Sequence, residues 1–206
     1  MSKVYRDFFL FPDIFILSCL IAANMTVIIL FGKGGWIAIS FAIGLIAFSL
    51  SEYMTHRFLF HLKTPQNPFL LKMLKRLHYD HHSDPDDLHL LFLPLWYSIP
   101  NMIVWSALFY IISGNLFYTL AFMCGLKVML FFYEWKHYVA HRPIKPRTKF
   151  GVWMKKIHIL HHYKNENYWY GVSNPVGDYL FGTMKEEKTV ETSKTARDLE
   201  KRTFDM

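Results

Sequence analysis

The chain has 206 residues, 52% of them hydrophobic and 18% aromatic, with 23 Lys and Arg against 16 Asp and Glu, for a formal net charge of +7. That length admits one domain, but the apolar residues are gathered into long uncharged runs instead of being scattered at core spacing, which excludes an ordinary soluble globule. The basic excess carries no aromatic-interleaved groove and no nucleic-acid motif, so nucleic acid is excluded as a partner and anionic lipid headgroups remain.

In chain order, a short basic terminus with Lys3 and Arg6 leads into Ile14 to Phe31, a run of eighteen residues without a charge and long enough to cross about 30 Å of hydrocarbon as a helix. It is too long for a signal-peptide core, no small-residue cleavage site follows it, and FGKGG at 31 to 35 leads directly into the next apolar run, so it is read as a retained span. Trp36 to Leu50 forms the second span and continues past Glu52; Leu90 to Ile112 is the third; Leu116 to Tyr133 is the fourth, broken only by Lys127. A cation at that depth costs at least roughly 2.5 kcal/mol, and the sequence leaves two ways out: snorkelling to the interface, or pairing with Glu134 two turns on. The tight connections FGKGG and SGN (113 to 115) read as the turns of two helical hairpins, about 12 to 58 and 90 to 138, with a polar segment, 59 to 89, between them.

The hairpin turns hold one basic residue, Lys33, whereas the other side has Lys3, Arg6, residues 51 to 89 and everything after Glu134. By the positive-inside rule both termini and the middle segment are cytoplasmic. The expected fold is therefore all-α and integral to the membrane: four transmembrane helices in two hairpins with a cytoplasmic helical cap, treated as a single domain over 1–206. Its final stretch, KEEKTVETSKTARDLEKRTFDM (185–206), has the composition of a solvated helix or frayed tail, and no chemistry is assigned to it. Cys19 and Cys124 both fall inside spans and are read as packing residues.

All eleven histidines lie on the cytoplasmic side or at its membrane boundary. His89 stands apart and is read as an ordinary polar residue. The others form four clusters: His56 and His61; His78, His81 and His82; His137 and His141; His158, His161 and His162. In HxxHH on a helix, residues i, i+3 and i+4 fall within about 100° and project together, while the adjacent pair diverges by about 100° and can serve two metals. His137 and His141 share a face and extend the fourth span. His56 and His61, five apart, diverge by about 140° on a regular helix, so the helix is expected to end or bulge between them. Ten imidazoles exceed the usual six positions of one ion and suit a dinuclear site for iron, zinc, copper or nickel. Glu52, Asp80 and Glu134 are candidates to orient the rings. Histidines placed along a path inside the spans would suggest a metal transporter; here they lie outside them.

The segments HRFLFH (56 to 61), HYDHH (78 to 82), YEWKHYVAH (133 to 141) and IHILHH (158 to 162), with HHYKNENYWYGVSNPVGDYLFGT (161 to 183), resemble the fatty acid hydroxylase superfamily, in particular its fatty acid 2-hydroxylase branch, over about 53–183. The continuation to Pro85 and Asp87 and the ending Gly171 to Thr183 carry the branch. The resemblance implies that His56, His61, His78, His81, His82, His137, His141, His158, His161 and His162 ligate two iron ions, with zinc as another occupant, and that O2 is the co-substrate. Members often have a second His where this chain has Arg142, which leaves the ligand set intact. The cytochrome b5 domain of some members is not in this sequence, so a separate electron donor is expected, cytochrome b5 or ferredoxin with its reductase. The implied activity is hydroxylation of a lipid acyl chain at C2; sterol or carotenoid hydroxylation and lipid desaturation are the neighbouring outcomes. The membrane would be the inner membrane of a bacterium or the endoplasmic reticulum of a eukaryote. Tyr168, Trp169 and Tyr170 are expected at the headgroup belt, with the substrate entrance as their other reading.

Overall fold

The computed structural model describes residues 3–202. Its regular structure is helical. Helix α1 (Lys3–Phe9) and α2 (Pro12–Phe31) are followed by α3 (Ile37–Thr55), whose last turn widens into a π-turn at His56–Phe60. Next come α4 (Pro68–Leu74), a second π-turn at Lys75–Tyr79, and α5 (Asp80–Ser83) in one continuous run, then the short α6 (Leu88–Leu91). Helices α7 (Leu95–Ser113), α8 (Leu116–His141), α9 (Lys149–Tyr163) and α10 (Val176–Leu180) complete the set, with 3-10 turns at Glu187–Thr189 and Leu199–Lys201.

Four stretches are long and apolar enough to cross a membrane: Pro12–Phe31, Ile37–Phe60, Leu88–Ser113 and Leu116–His141. Ile29, Ile111 and Ile112 are each more than 70% exposed, and such faces find their partner in hydrocarbon, not water. The chain is thus a multi-pass membrane protein.

The residues divide into two compact units, Met1–Ser49 with Leu93–Trp135, and Leu50–Phe92 with Lys136–Met206. The division falls inside α3 and inside α8.

In the first unit α3 and α8 touch backbone to backbone. A Cβ on Gly44 would run into the Phe122 carbonyl, and one on Gly125 into the Phe41 carbonyl, the close approach that small residues allow between apolar helices. Lys127 takes neither of its two expected routes. It is 6% exposed and its Nζ donates to the Leu20 carbonyl at 3.3 Å. Glu134 instead accepts from the Leu93 amide at 3.0 Å, and among the described residues no ion pair joins it to Lys127. The reason is axial: seven residues on, Glu134 shares the face but lies about 10 Å along the helix, farther than the carbonyl of the neighbouring helix.

In the second unit, local signals set the helices that matter for the site. Thr148 caps α9 by accepting from the Gly151 amide at 3.0 Å. Lys155, nearly two turns into α9, donates to the carbonyls of Val139, Arg142 and Ile144 at 2.8, 2.7 and 3.1 Å, which satisfies carbonyls at and just beyond the C-terminus of α8 and ties that end to α9. The tail departs from a frayed or solvated reading. Val190 packs with Met154, Ile157 and Trp169, and Leu199 is fully buried with Leu74 and Tyr79. Val190, Leu199 and the buried Ala196, without helical periodicity, are enough to anchor an otherwise polar segment, and composition does not reveal them. Residues 203–206 of that tail lie outside the described residues.

Candidate metal centre

The ten clustered histidines converge in the second unit as two groups of five: His56, His61, His78, His82 and His161; and His81, His137, His141, His158 and His162. Within each group the candidate ligand atoms lie within 4.8 Å of one another. His89 is exposed and belongs to neither group.

The repeat of HxxHH acquires a geometric meaning here. From α4–α5, the i and i+4 rings, His78 and His82, enter the first group, and the i+3 ring, His81, enters the second; from α9 the exchange is reversed, with His158 and His162 in the second and His161 in the first. Each motif gives two rings to one group and lends one to the other. The rings of His82 and His162, one from each group, stack with centroids 4.0 Å apart, so the groups share a wall. The expected bulge between His56 and His61 is present: the His61 amide bonds to the His56 carbonyl at 3.1 Å, five residues back, and the wider turn brings both rings to the same side.

The convergence is not a hydrogen-bond network. His78 Nε2 has the Nε2 atoms of His56, His61 and His82 at 3.1, 2.9 and 3.0 Å, yet one ring nitrogen can make a single hydrogen bond as donor or acceptor. His161 Nε2 lies 3.0 Å from His61 Nε2, and in the second group His141 and His158 approach at 2.9 Å. Nitrogens about 2.1 Å from a common ion and at right angles to one another are about 3.0 Å apart, so this spacing fits a cation. In the second group both ring nitrogens of His81 and of His162 are buried without a hydrogen-bond partner, a costly state for polar atoms that metal ligation would relieve.

Electrostatics prepare the rings for that role. Burial, first, and the neighbouring imidazoles, second, hold His61, His78, His81, His158 and His162 well below the usual imidazole range; burial does the same for His161, with His82 next in line, and lowers His82 to about 3. All are neutral near pH 7 and offer lone pairs.

Backbone carbonyls, not acidic side chains, orient them. His56 Nδ1 donates to the Tyr170 carbonyl, His161 Nδ1 to Tyr168 at 2.7 Å, and His82 Nδ1 to Ala196 at 2.7 Å. A carbonyl only accepts, so the proton sits on Nδ1 and Nε2 carries the lone pair. The Glu52 carboxylate accepts from the Val172 and Ser173 amides at 2.9 and 2.8 Å and from the Ser173 hydroxyl. Asp80 faces Lys75 at 3.7 Å and Glu134 holds Leu93, so among the described residues none of the three acidic candidates hydrogen-bonds to a histidine ring. The acidic residue that reaches this loop lies in the Gly171 to Thr183 ending, where the sequence gives it no orienting role: buried Asp178 accepts from the amides of Tyr170 and Gly171, both at 2.8 Å, and from the Thr183 hydroxyl at 2.6 Å. It thereby positions the Tyr170 carbonyl against His56. Gly171 is required at this point because a Cβ there would strike the Asn174 carbonyl. Trp169, at φ 58°, and Tyr170 are buried at 1% and 5% exposure: Trp169 packs with Met154, Ile157 and Val190, and Tyr170 lies against the rings of His56, His61 and His161, so neither sits in a headgroup belt.

A family model described as fatty acid hydroxylase matches residues 41–183. Among curated proteins, the chain is 32% identical over 159 residues to a fatty acid 2-hydroxylase of Rattus norvegicus, covering 72% of this chain and 40% of that protein. It is 33% identical over 145 residues to a ceramide very long chain fatty acid hydroxylase of Schizosaccharomyces pombe, covering 69% and 41%, and 31% identical over 146 residues to a dihydroceramide fatty acyl 2-hydroxylase of Arabidopsis thaliana, covering 69% and 59%. The chain thus spans about 40% of the length of the first of these relatives. A solved structure of full-length Scs7p, in which only the hydroxylase domain is visible, superposes with a TM-score of 0.77 at 25% identity, over 87% of this chain and 67% of that one. Taken with the two five-histidine groups and four apolar helices, the match over residues 41–183 places this chain in the fatty acid hydroxylase family.

Proposed function

We propose that this chain is the membrane-embedded catalytic domain of an O2-dependent lipid hydroxylase that acts at C2 of a fatty acyl chain, with the ten histidines as ligands of two iron ions. The observation that carries the reading is the convergence of five neutral imidazole lone pairs in each of two adjoining groups. Iron bound there would supply the redox chemistry for inserting oxygen from O2 into an unactivated C–H bond, which no side chain can do; zinc fills such a site without redox chemistry.

The protein's own part is to hold the rings and keep water out. Asp178 and Glu52 fix the loop over residues 170–173, whose Tyr170 carbonyl orients His56, and the buried rings of Tyr170 and Phe60 line the first group. In the proposed topology α2–α3 and α7–α8 are hairpins whose turns share one face, and the histidines sit at the cytoplasmic boundary. An acyl lipid that keeps its head at this boundary brings its first carbons to the centre while its tail stays in hydrocarbon; mid-chain attack would require the tail to fold back. Electrons come from a cytochrome b5 or from a ferredoxin with its reductase.

The test is expression with a reductase system and O2, followed by mass spectrometry of hydrolysed lipids. The expected product is a 2-hydroxy acid that disappears in His158→Ala. A new double bond, or a hydroxylated sterol or carotenoid with unchanged acyl chains, would refute the assignment to C2 hydroxylation.

A further inference from the structure

The first histidine group is closed by a segment that neither the family match nor the ligand pattern includes. Residues 193–202 lie beyond the matched range, 41–183, yet they reach the group at two of its five histidines. The Ala196 carbonyl accepts from His82 Nδ1 at 2.7 Å. Arg197 Nε donates to the His82 carbonyl at 2.9 Å and its Nη2 to the Ser83 carbonyl at 2.6 Å, while the Ser83 hydroxyl donates to the Arg197 carbonyl at 3.1 Å. Arg202 Nη1 donates to the His61 carbonyl at 2.9 Å. It also lies 3.3 Å from His61 Nδ1, but with Nε2 on a metal that nitrogen carries a proton, so the carbonyl bond is the one compatible with ligation.

The segment is itself anchored at several points. Leu199 is fully buried against Leu74 and Tyr79. The Thr64 amide donates to the Arg202 carbonyl at 3.0 Å, and the Ser193 amide to Lys164 at 2.7 Å. Buried Glu166 accepts from the Thr195 hydroxyl at 2.5 Å and faces Arg202 Nε at 3.7 Å. The two ring-bearing residues it touches, His82 and His61, both belong to the first group.

We propose that residues 193–202 form a strap that is a working part of the first metal group: the Ala196 carbonyl orients His82, the guanidiniums of Arg197 and Arg202 hold the backbones of His82 and His61, and together they set that group's metal affinity while leaving the second group's unchanged. This rests on the reading of the two groups as metal sites. Arg197 and Arg202 act through the ligands and are positioning residues. Partners one step outside a metal's ligands change affinity by about 10- to 100-fold when lost.

The test uses the full chain in detergent, loaded with Zn2+, with release of each metal equivalent to a chelator followed over time and His161→Ala marking the first group's equivalent. In Arg197→Met/Arg202→Met, which removes both donors and keeps the length of the side chains, one equivalent is expected to leave about 10-fold faster or more, and it should be the one missing in His161→Ala; the other keeps its wild-type rate. Leu199→Asp, which lifts the strap from its apolar seat, gives the same selective release. Arg197→Lys, still able to donate to the His82 carbonyl, releases metal as the wild type does. Equal acceleration of both equivalents, which a general loss of stability would give, overturns the proposal, as do unchanged rates in a folded double variant. A wild-type chain that holds no metal refutes the metal-centre reading itself, which distinguishes that failure from this one.

Discussion

Adjacent histidines in each HxxHH motif should lose different metals. His82→Ala removes one of five donors from the first group and His81→Ala one of five from the second; His161→Ala and His162→Ala do the same in the opposite order along the chain. Since even outer partners are worth about 10-fold, a direct ligand is worth at least that, or about 1.4 kcal/mol of binding free energy. His82→Ala also leaves the buried Ala196 carbonyl without its donor, which costs the metal-free fold about 1–3 kcal/mol. The assay is metal content by mass spectrometry after competition with a graded chelator, on single and double variants. His82→Ala/His161→Ala should lose little more than either single, because both act on one equivalent. His81→Ala/His82→Ala should lose both equivalents, its effects adding as for independent sites. If the sequence neighbours behave as one site and the spatial partners as two, the assignment of rings to groups is wrong.

Asp178→Ala orphans three buried donors, those of Tyr170, Gly171 and Thr183, and should cost at least about 3 kcal/mol; Asp178→Asn, which keeps an acceptor, should be milder in a thermal melt, and equal effects would contradict the role given to the carboxylate. Metal-stripped protein should lose stability as pH falls below about 6.5 toward 3, because burial keeps rings such as His82, at about 3, unprotonated in the fold while the unfolded chain takes up protons. The limiting slope is about 1.4 kcal/mol per pH unit per ring; a melting temperature unchanged between pH 7 and pH 5 would refute it. For topology, in a background of Cys19→Ser/Cys124→Ala, Lys33→Cys should react with an impermeant thiol reagent from the non-cytoplasmic side and Lys194→Cys only from the cytoplasmic side. Both positions are exposed, so labelling of the second from outside would invert the proposed orientation.

Much of this protein is legible in its sequence because the signals are local. Uncharged runs announce helices that cross a membrane, since hydrocarbon tolerates little else. The spacing of His137 and His141, or of His158 and His162, puts each pair on one helical face, and the five-residue gap from His56 to His61 announces the π-turn that is found there. Tertiary structure decided which ring joins which group. His81 and His82 are neighbours in the chain, and only the placement of α8 and α9 sends one to His137 and the other to His161. It also decided what orients the rings. The acidic residues that the sequence offers as orienting partners, Glu52, Asp80 and Glu134, serve other groups, while the acceptors are the carbonyls of Tyr168, Tyr170 and Ala196. Every residue has a carbonyl, so no residue type marks those positions; they are selected by Asp178, a left-handed Trp169, and a tail held by Leu199. A period of 3.6 residues is written in the chain, but a contact between residues 82 and 196 depends on every turn between them.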